Sequence, residues 1–243
     1  MDRIFLILLI FLSFNALASH HDPGWVPVGD MIVPESTLNS DGFSPFGFKE
    51  KKVRTWKKGV LPLYFDASVS GEQRKEFLEY CDEMGEFANV QCVYWQGQAR
   101  DYVTVKIASF RSCGSSYLGR RGGEQDLKIR CWRKRTIQHE LMHAFGVSHE
   151  HNRPDRDDFI KMNWSGIKSL SKMSYRKIST GKVSHATDFY DFQSIMHYDS
   201  RSGVKSGQVA FVRRDNNEEV RQTQSMSYGD HLILYKLYGG QEP

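Results

Sequence analysis

The chain has 243 residues, of which 40% are hydrophobic, 13% aromatic and 26% charged. These proportions indicate a globular protein with a sizeable core, and they exclude disorder, collagen-like repeats and coiled coils for most of the chain. The net charge of +4 at pH 7 is too small to indicate nucleic acid or an anionic membrane as the main partner. We therefore expect the local basic groups at residues 49–58 and 130–135 only to face solvent.

The N-terminus is typical of a secretory signal peptide. Arg3 precedes an apolar run at residues 4–14, and residues 16–18 form a small-x-small cleavage site. A membrane anchor is the alternative, but the run is shorter than the roughly 20 apolar residues that a spanning helix needs. We assign residues 1–18 to a signal peptide and expect a secreted, extracellular or periplasmic protein that begins near Ser19.

Residues 20–52 carry four prolines together with several glycines and serines, which predicts an extended segment with little regular structure. After this segment, short apolar or alternating runs predict strands at residues 60–65, 92–95 and 103–107. Between the first two strands, Ser70 and Gln73 form a capping-box pattern that predicts an amphipathic helix ending near residue 87.

Four cysteines in an exported chain predict disulfides, and four cysteines allow three pairings. Cys113 and Cys131 flank a Gly-rich polar stretch that is typical of a loop or hairpin, which a bridge between them would close. Cys81 and Cys92 then pair by elimination. None of the four has the CxxC spacing of a zinc ribbon or redox site, so their expected role is structural.

Two further helices are predicted. One extends over residues 132–145 and ends at Gly146, a residue that readily adopts the left-handed conformation found at helix C-termini. Residues 148–222 show little periodicity and predict irregular structure. Ser227 as N-cap, with Asp230 at the capping-box position, predicts a last helix that extends to Tyr238.

Four of the nine histidines fall within thirteen positions, in the string HELMHAFGVSHEH at residues 139–151. On a helix, His139 and His143 lie one turn apart on the same face and can present two imidazoles to one metal ion. Gly146 ends the helix and lets the chain return His149 as a third ligand. Three protein ligands leave one coordination position open, which is the mark of a catalytic rather than a structural zinc site.

Glu140 lies beside the first histidine without being a ligand. A carboxylate there can take a proton from a metal-bound water and deliver it to a leaving amine. The pattern HExxH alone arises in about 2% of shuffled sequences of this composition, and adding Gly146 and His149 lowers that frequency to roughly one in ten thousand. Unrelated surface or core histidines are therefore a weak explanation.

The string HELMHAFGVSHE matches the long metzincin motif HExxHxxGxxH, and the SIMHY segment at residues 194–198 is similar to the methionine turn of that clan. Within the metzincins, Glu150 after the third histidine, the following HNRPDRD and the SIMHY turn resemble the astacins. The resemblance covers most of residues 56–238. It implies an α+β zincin with a twisted, mostly parallel sheet and active-site helix in the N-terminal subdomain, and an irregular C-terminal subdomain with a last helix.

The resemblance also implies a function. The chain would be a secreted zinc-dependent endopeptidase that holds one Zn²⁺ and hydrolyses peptide bonds in proteins through a zinc-bound water activated by Glu140. Tyr198 would donate a hydrogen bond to the oxyanion of the transition state, and Met196 would form the apolar floor beneath the metal. The metal ligands would be His139, His143 and His149.

A zymogen is implied as well. The sequence at residues 29–32 resembles the FxGD motif of astacin propeptides, whose aspartate, here Asp30, occupies the zinc; the match is partial, because Pro27 stands where the aromatic residue is expected. Glu150 would anchor the new N-terminus of the mature enzyme. We accordingly expect a short propeptide at residues 19–50, a peptidase domain at residues 51–243, and cleavage by a trypsin-like protease between Phe46 and Arg54.

Other expectations and alternatives complete the hypothesis. The expected partners are protein or peptide substrates and an activating protease, with no nucleic acid, no membrane after signal cleavage, and a monomeric state. A substrate would pair with an edge strand near residues 115–119. The alternative is a catalytically inactive zinc-binding scaffold or adhesion protein, which loss of Glu140 or a fourth closed ligand would indicate. An amidase acting on cell-wall peptides is a third, weaker possibility.

Overall fold

A computed structural model of the protein describes residues 23–38, 53–109, 112–178 and 187–243. The expected signal peptide and most of the expected cleavage region lie outside these described residues. None of the helices in the described ranges is both long and apolar enough to cross a membrane.

Seven strands of the described residues form one mixed sheet. They are β1 (Trp25–Val28), β2 (Met31–Pro34), β3 (Val60–Phe65), β4 (Gln91–Tyr94), β5 (Tyr102–Ile107), β6 (Gly114–Tyr117) and β7 (Glu124–Ile129). Their order in the sheet is β1-β2-β6-β7-β5-β3-β4. The central pairs β7–β5, β5–β3 and β3–β4 are parallel, as is β2–β6, whereas β1–β2 and β6–β7 are antiparallel. This agrees with the mostly parallel sheet that the resemblance implies.

Helix α1 (Gly71–Met84) begins at the predicted capping box. The Ser70 hydroxyl accepts a hydrogen bond from the Gln73 amide, and the Gln73 side chain accepts one from the Ser70 amide. The helix ends three residues before the predicted residue 87, with Gly85 as its C-cap. The Cys81–Cys92 disulfide joins α1 to β4, and the Cys113–Cys131 disulfide closes the β6–β7 hairpin. Both pairings are those expected from the sequence.

Helix α2 (Lys134–Phe145) lies under the sheet, and every residue from Thr136 onward is buried. It starts two residues later than predicted, because Arg133 still has an extended backbone. Gly146 ends the helix with a φ of 104°, in the left-handed region that favours glycine. Alternate residues of β3, such as Leu61 and Leu63, pack in the main core with the apolar face of α2.

The segment before residue 39 differs from the sequence expectation. Strands β1 and β2 form an antiparallel hairpin around a turn at Gly29 and Asp30, where the sequence predicted little regular structure. The reason is tertiary: β2 gains a partner in β6, and apolar residues of the hairpin pack with Leu118 in a small core of their own. Strand β6 is therefore an interior strand in this structure and not the edge strand that the sequence predicted.

The C-terminal half is irregular, as expected. It contains a two-stranded antiparallel sheet of β8 (Ile160–Met162) and β9 (Phe211–Arg213) with its own core. Helix α3 (Tyr228–Tyr238) closes the chain and begins at the predicted capping box of Ser227 and Asp230. Short 3-10 helices occupy Glu35–Leu38, Lys57–Gly59, Glu150–Asn152, Arg156–Asp158 and Ser169–Tyr175.

Candidate metal centre

Three histidine side chains converge on one point under the sheet. The Nε2 atom of His149 lies 3.2 Å from the Nε2 atoms of both His139 and His143. All three residues are buried. Helix α2 supplies the first two from successive turns, and the left-handed Gly146 turns the chain so that the third meets them. The structure thus brings together the three predicted ligands.

The protons of two of these rings are fixed by backbone carbonyl groups. Nδ1 of His139 lies 2.8 Å from the Ile195 carbonyl oxygen, and Nδ1 of His143 lies 2.8 Å from that of Val147. Because a carbonyl oxygen only accepts, each Nδ1 carries the proton and each Nε2 is left with a lone pair aimed at the common point. Burial also lowers the pKa of His143 to about 3. The His143 ring is therefore in the neutral form that metal ions bind.

Asp30 supplies a fourth donor from the turn between β1 and β2. Its carboxylate oxygens lie 2.9 Å from Nε2 of His149, 3.5 Å from that of His139 and 3.8 Å from that of His143. Burial opposes ionisation of Asp30, but the nearby histidines, His149 foremost, outweigh it and hold the pKa of Asp30 well below its ordinary value.

The donor set fits a metal ion. The four ligand atoms of Asp30 and the three histidines all lie within 4.8 Å of one another. Three imidazole nitrogens and one carboxylate oxygen are a typical tetrahedral set for Zn²⁺.

Glu140 follows His139 on α2, and its carboxylate is close enough to Asp30 for the two charges to interact. Its side chain is 1% exposed, and its Oε2 atom has no hydrogen-bond partner among the residues that the structure describes. Burial, followed by the nearby charge of Asp30, raises the pKa of Glu140 well above its ordinary value. A buried carboxylate with a raised pKa readily accepts a proton, which is what a general base at this position requires.

Tyr198 packs against His149, the third of the converging histidines. Its hydroxyl group donates a hydrogen bond of 3.4 Å to Asp30, and its ring packs 4.6 Å from the ring of His149 and 4.0 Å from that of His151. Burial raises the pKa of Tyr198 well above its ordinary value, so the phenol keeps its proton and remains a donor. Met196, two residues earlier, is 1% exposed and belongs to the main core.

Glu150 lies beside the metal ligands without facing them. It accepts hydrogen bonds from Arg153 at 2.9 Å and from the Asp191 amide at 2.8 Å. Burial raises the pKa of Glu150 to about 7 although Arg153 opposes the shift. The Glu150 amide donates to the Met196 carbonyl, so the residue after the third histidine is joined to the methionine turn.

Several supporting residues were missed from the sequence. Asp230 was predicted only as a helix cap, yet its carboxylate also accepts hydrogen bonds from the Ser194 hydroxyl and the Ile195 amide. The Ile195 carbonyl in turn accepts hydrogen bonds from Nδ1 of His139 and from a guanidinium nitrogen of Arg135. The capping box was the one signal available for Asp230, and it carries no information about partners 35 residues away.

Comparisons with known proteins agree with this geometry. The profile of the peptidase family Astacin matches residues 48–239. The chain is 32% identical over 188 residues to Zinc metalloproteinase nas-14 of Caenorhabditis elegans, covering 76% of this chain and 37% of that protein. It is 34% identical over 195 residues to Tolloid-like protein 2 of Mus musculus, covering 76% of this chain and 19% of that protein. The chain thus spans about a third or less of the length of these two relatives.

A solved structure is also similar. It is High choriolytic enzyme 1, a hatching enzyme zinc-protease from Oryzias latipes, and it superposes with a TM-score of 0.68 at 28% sequence identity. The superposition covers 78% of this chain and 95% of that one. The likeness therefore includes most of the described fold.

Proposed function

Because the chain belongs to the astacin family, we propose that it is a zinc-dependent endopeptidase that hydrolyses peptide bonds in proteins or peptides. The observation that carries the proposal is the convergence of three histidine Nε2 atoms beside a buried, partly unpartnered carboxylate, Glu140. Zn²⁺ is the metal that astacin metalloproteinases use, and the donor set here fits it.

In this proposal His139, His143 and His149 hold the metal. When bound, Zn²⁺ supplies a Lewis acid that polarises the scissile carbonyl and lowers the pKa of water toward about 7. The carbonyl oxygens of Ile195 and Val147 orient the first two rings through their Nδ1 protons. Such orienting partners raise the basicity of the ligating nitrogens and fix their direction.

Glu140 moves the proton. Its buried carboxylate accepts a proton from the attacking water and later delivers it to the amine that leaves, which is the acid and base work that its raised pKa suits. The hydroxyl group of Tyr198 donates a hydrogen bond to the negative charge that develops on the carbonyl oxygen. Met196 supports the floor of the site from the core.

We further propose that the described chain is a latent form. The Asp30 carboxylate occupies the space among the histidines, and β2 is paired with β6, the strand that an extended substrate would use. Residues 19–50 would form the propeptide and residues 51–243 the peptidase domain. A trypsin-like protease would cut between Phe46 and Arg54, and Glu150 would then hold the new N-terminus. The signal peptide at residues 1–18 would direct the chain out of the cell.

Wild type and Glu140→Ala, each after limited trypsin treatment, test the proposal. Cleavage of a quenched peptide library and zinc content are measured on the same samples. We expect wild type to cut peptides and the variant to bind equal zinc without cutting. Equal zinc with no cleavage by either protein would contradict a peptidase and favour the scaffold alternative. Cleavage by the variant at the wild-type rate would remove Glu140 from its proposed role.

A further inference from the structure

A second concave site lies on the other face of the sheet from the metal centre. Three loops, which precede β3, β5 and β7, surround a cavity of about 740 Å³. Its floor includes Val60 and Pro62, which alternate along β3 with Leu61 and Leu63 of the main core. The cavity therefore opens on the side of the sheet that α1 and α2 do not cover.

The lining of this cavity is strongly basic. It contains five cationic side chains and one carboxylate, namely Arg54, Lys57, Arg100, Arg120, Arg121 and Asp101. The carboxylate is already engaged, because it forms an ion pair with Arg120 and accepts a 2.7 Å hydrogen bond from the Gly123 amide. Across the described ranges, Arg54, Lys57 and Arg100 have no carboxylate within 4.0 Å. With five cations and one carboxylate, the cavity thus carries an excess of positive charge.

Hydrogen bonds between the loops hold Arg54 and Arg120 in place. The Arg120 amide donates to the Arg54 carbonyl at 2.7 Å, and Nε of Arg120 donates to the Thr55 carbonyl at 3.2 Å. Arg54 returns a hydrogen bond to the Arg121 carbonyl. The backbone amide of Arg121 donates a 2.8 Å hydrogen bond to the side-chain oxygen of Gln125. A charged site that is already ordered loses little conformational entropy when a ligand binds.

The composition of the cavity indicates the class of ligand. Guanidinium groups form paired, charge-assisted hydrogen bonds with sulfate and phosphate oxygens. The apolar floor that includes Val60 and Pro62 suits the less polar face of a ring. We propose that this cavity binds a polyanionic sugar, a ring compound that carries several sulfate or phosphate groups. The sequence indicated only that residues 54–58 face solvent, whereas this proposal gives the cations among them a role in ligand binding. The proposal does not depend on peptidase activity.

Two probes distinguish the source of the anionic groups. Isothermal titration calorimetry at low ionic strength measures binding of a heparin-derived hexasaccharide, which supplies sulfate, and of inositol hexakisphosphate, which supplies phosphate. The cavity variant is Lys57→Glu with Arg100→Glu. The matched control is Lys168→Glu with Lys172→Glu, two exposed lysines of the other subdomain that change the net charge equally.

We expect wild type and the control to bind at least one probe, and the cavity variant to bind it at least about tenfold more weakly. Binding of only the sulfated or only the phosphorylated probe identifies the source. Failure of wild type to bind either probe would overturn the proposal. An equal loss of affinity in both double variants would also overturn it, because net charge alone would then explain binding.

Hydrogen exchange of the wild-type protein provides a test that does not depend on the folding of any variant. The bound probe should protect backbone amides in residues 54–62, 100–102 and 120–125. Protection confined to other segments would place the ligand elsewhere and contradict the proposed site.

Discussion

Gly114 lies directly against the carboxylate of Glu140. A Cβ atom at Gly114 would come within 2.6 Å of Cδ and 2.7 Å of Cγ of the glutamate, closer than side chains pack. Gly114 is the first residue of β6 and directly follows Cys113 of the disulfide that closes the hairpin. Because glycine has no side chain, the Glu140 carboxylate fits against the backbone of Gly114.

Substitution of Gly114 should test that relationship. We expect Gly114→Ala to lower kcat/KM by at least about tenfold, because the added methyl group displaces the proton-accepting carboxylate. The zinc content should stay unchanged, because the atoms nearest to the added Cβ all belong to Glu140. Gly71→Ala is the control, because a Cβ there meets nothing within 4 Å. Full activity in Gly114→Ala would show that Glu140 does not depend on this space.

Asp30 should control latency. We expect the uncleaved Asp30→Ala chain to hydrolyse peptides at least about tenfold faster than uncleaved wild type, because the carboxylate no longer occupies the space among the histidines. Asp188→Ala, at a fully exposed carboxylate, should match wild type. N-terminal sequencing of the trypsin-treated protein should place the cut between residues 46 and 54. Equal activity of the uncleaved Asp30→Ala and wild-type chains would argue against latency through this residue.

Tyr198 should act in the transition state rather than in metal binding. We expect Tyr198→Phe to lower kcat by about 10²-fold with little change in KM, as the loss of one oxyanion donor does in other hydrolases. Zinc content should equal that of wild type. Tyr228→Phe, at an exposed tyrosine, serves as the control. A raised KM with unchanged kcat would instead assign Tyr198 to ground-state substrate binding.

The Cys81–Cys92 disulfide should contribute to stability without affecting the metal centre. Its sequence separation is 11 residues, and removing it frees the unfolded chain. We expect Cys81→Ala with Cys92→Ala to lower the free energy of unfolding by about 2–4 kcal/mol in urea titrations. Zinc stoichiometry below the unfolding transition should not change. A loss of zinc in the folded variant would link this bridge to the metal site.

The ionised Asp101 carboxylate should stabilise the folded protein at neutral pH but not in acid. Its hydrogen bond from the Gly123 amide, and then its pairing with Arg120, lower the pKa of Asp101 below the ordinary 3.8. The folded state therefore favours the ionised form, so the stabilisation is fully present above about pH 4 and is lost as the pH falls through the folded pKa. We expect Asp101→Asn to cost about 0.5–1 kcal/mol at pH 7.

Urea titrations over a range of pH values check this expectation. The difference between wild type and Asp101→Asn should shrink as the pH falls below the ordinary pKa of 3.8. A difference that persists unchanged in acid would mean that Asp101 acts through packing and not through its charge.

Features that depend on neighbours in sequence were predictable. The capping boxes at Ser70 and Ser227 need only residues three positions apart, and both form as expected. Gly146 ends α2 because its backbone can adopt a positive φ, which is a property of the residue itself. The ligand set followed from the 3.6-residue period of a helix and one tight turn.

Features that depend on distant residues were not predictable. The hairpin of β1 and β2 forms because the backbone of β2 pairs with that of β6, some 80 residues later. The proline-rich composition of the segment does not reveal this distant partner. The basic cavity gathers residues from three loops between residues 54 and 122. Each loop alone looks like an ordinary solvated turn, and only the parallel order of the strands brings the three together.

The support of Ile195 by Asp230 also bears on when the metal site is completed during synthesis. A chain made as far as residue 226 already contains the three histidines, Glu140 and Tyr198. It still lacks the carboxylate that holds the Ile195 amide, and thereby the carbonyl that orients His139. Asp230 of α3 must therefore leave the ribosome before the carbonyl group that orients His139 is held in place. The geometry around His139 is complete only once α3 has docked, however early the histidine motif itself emerges.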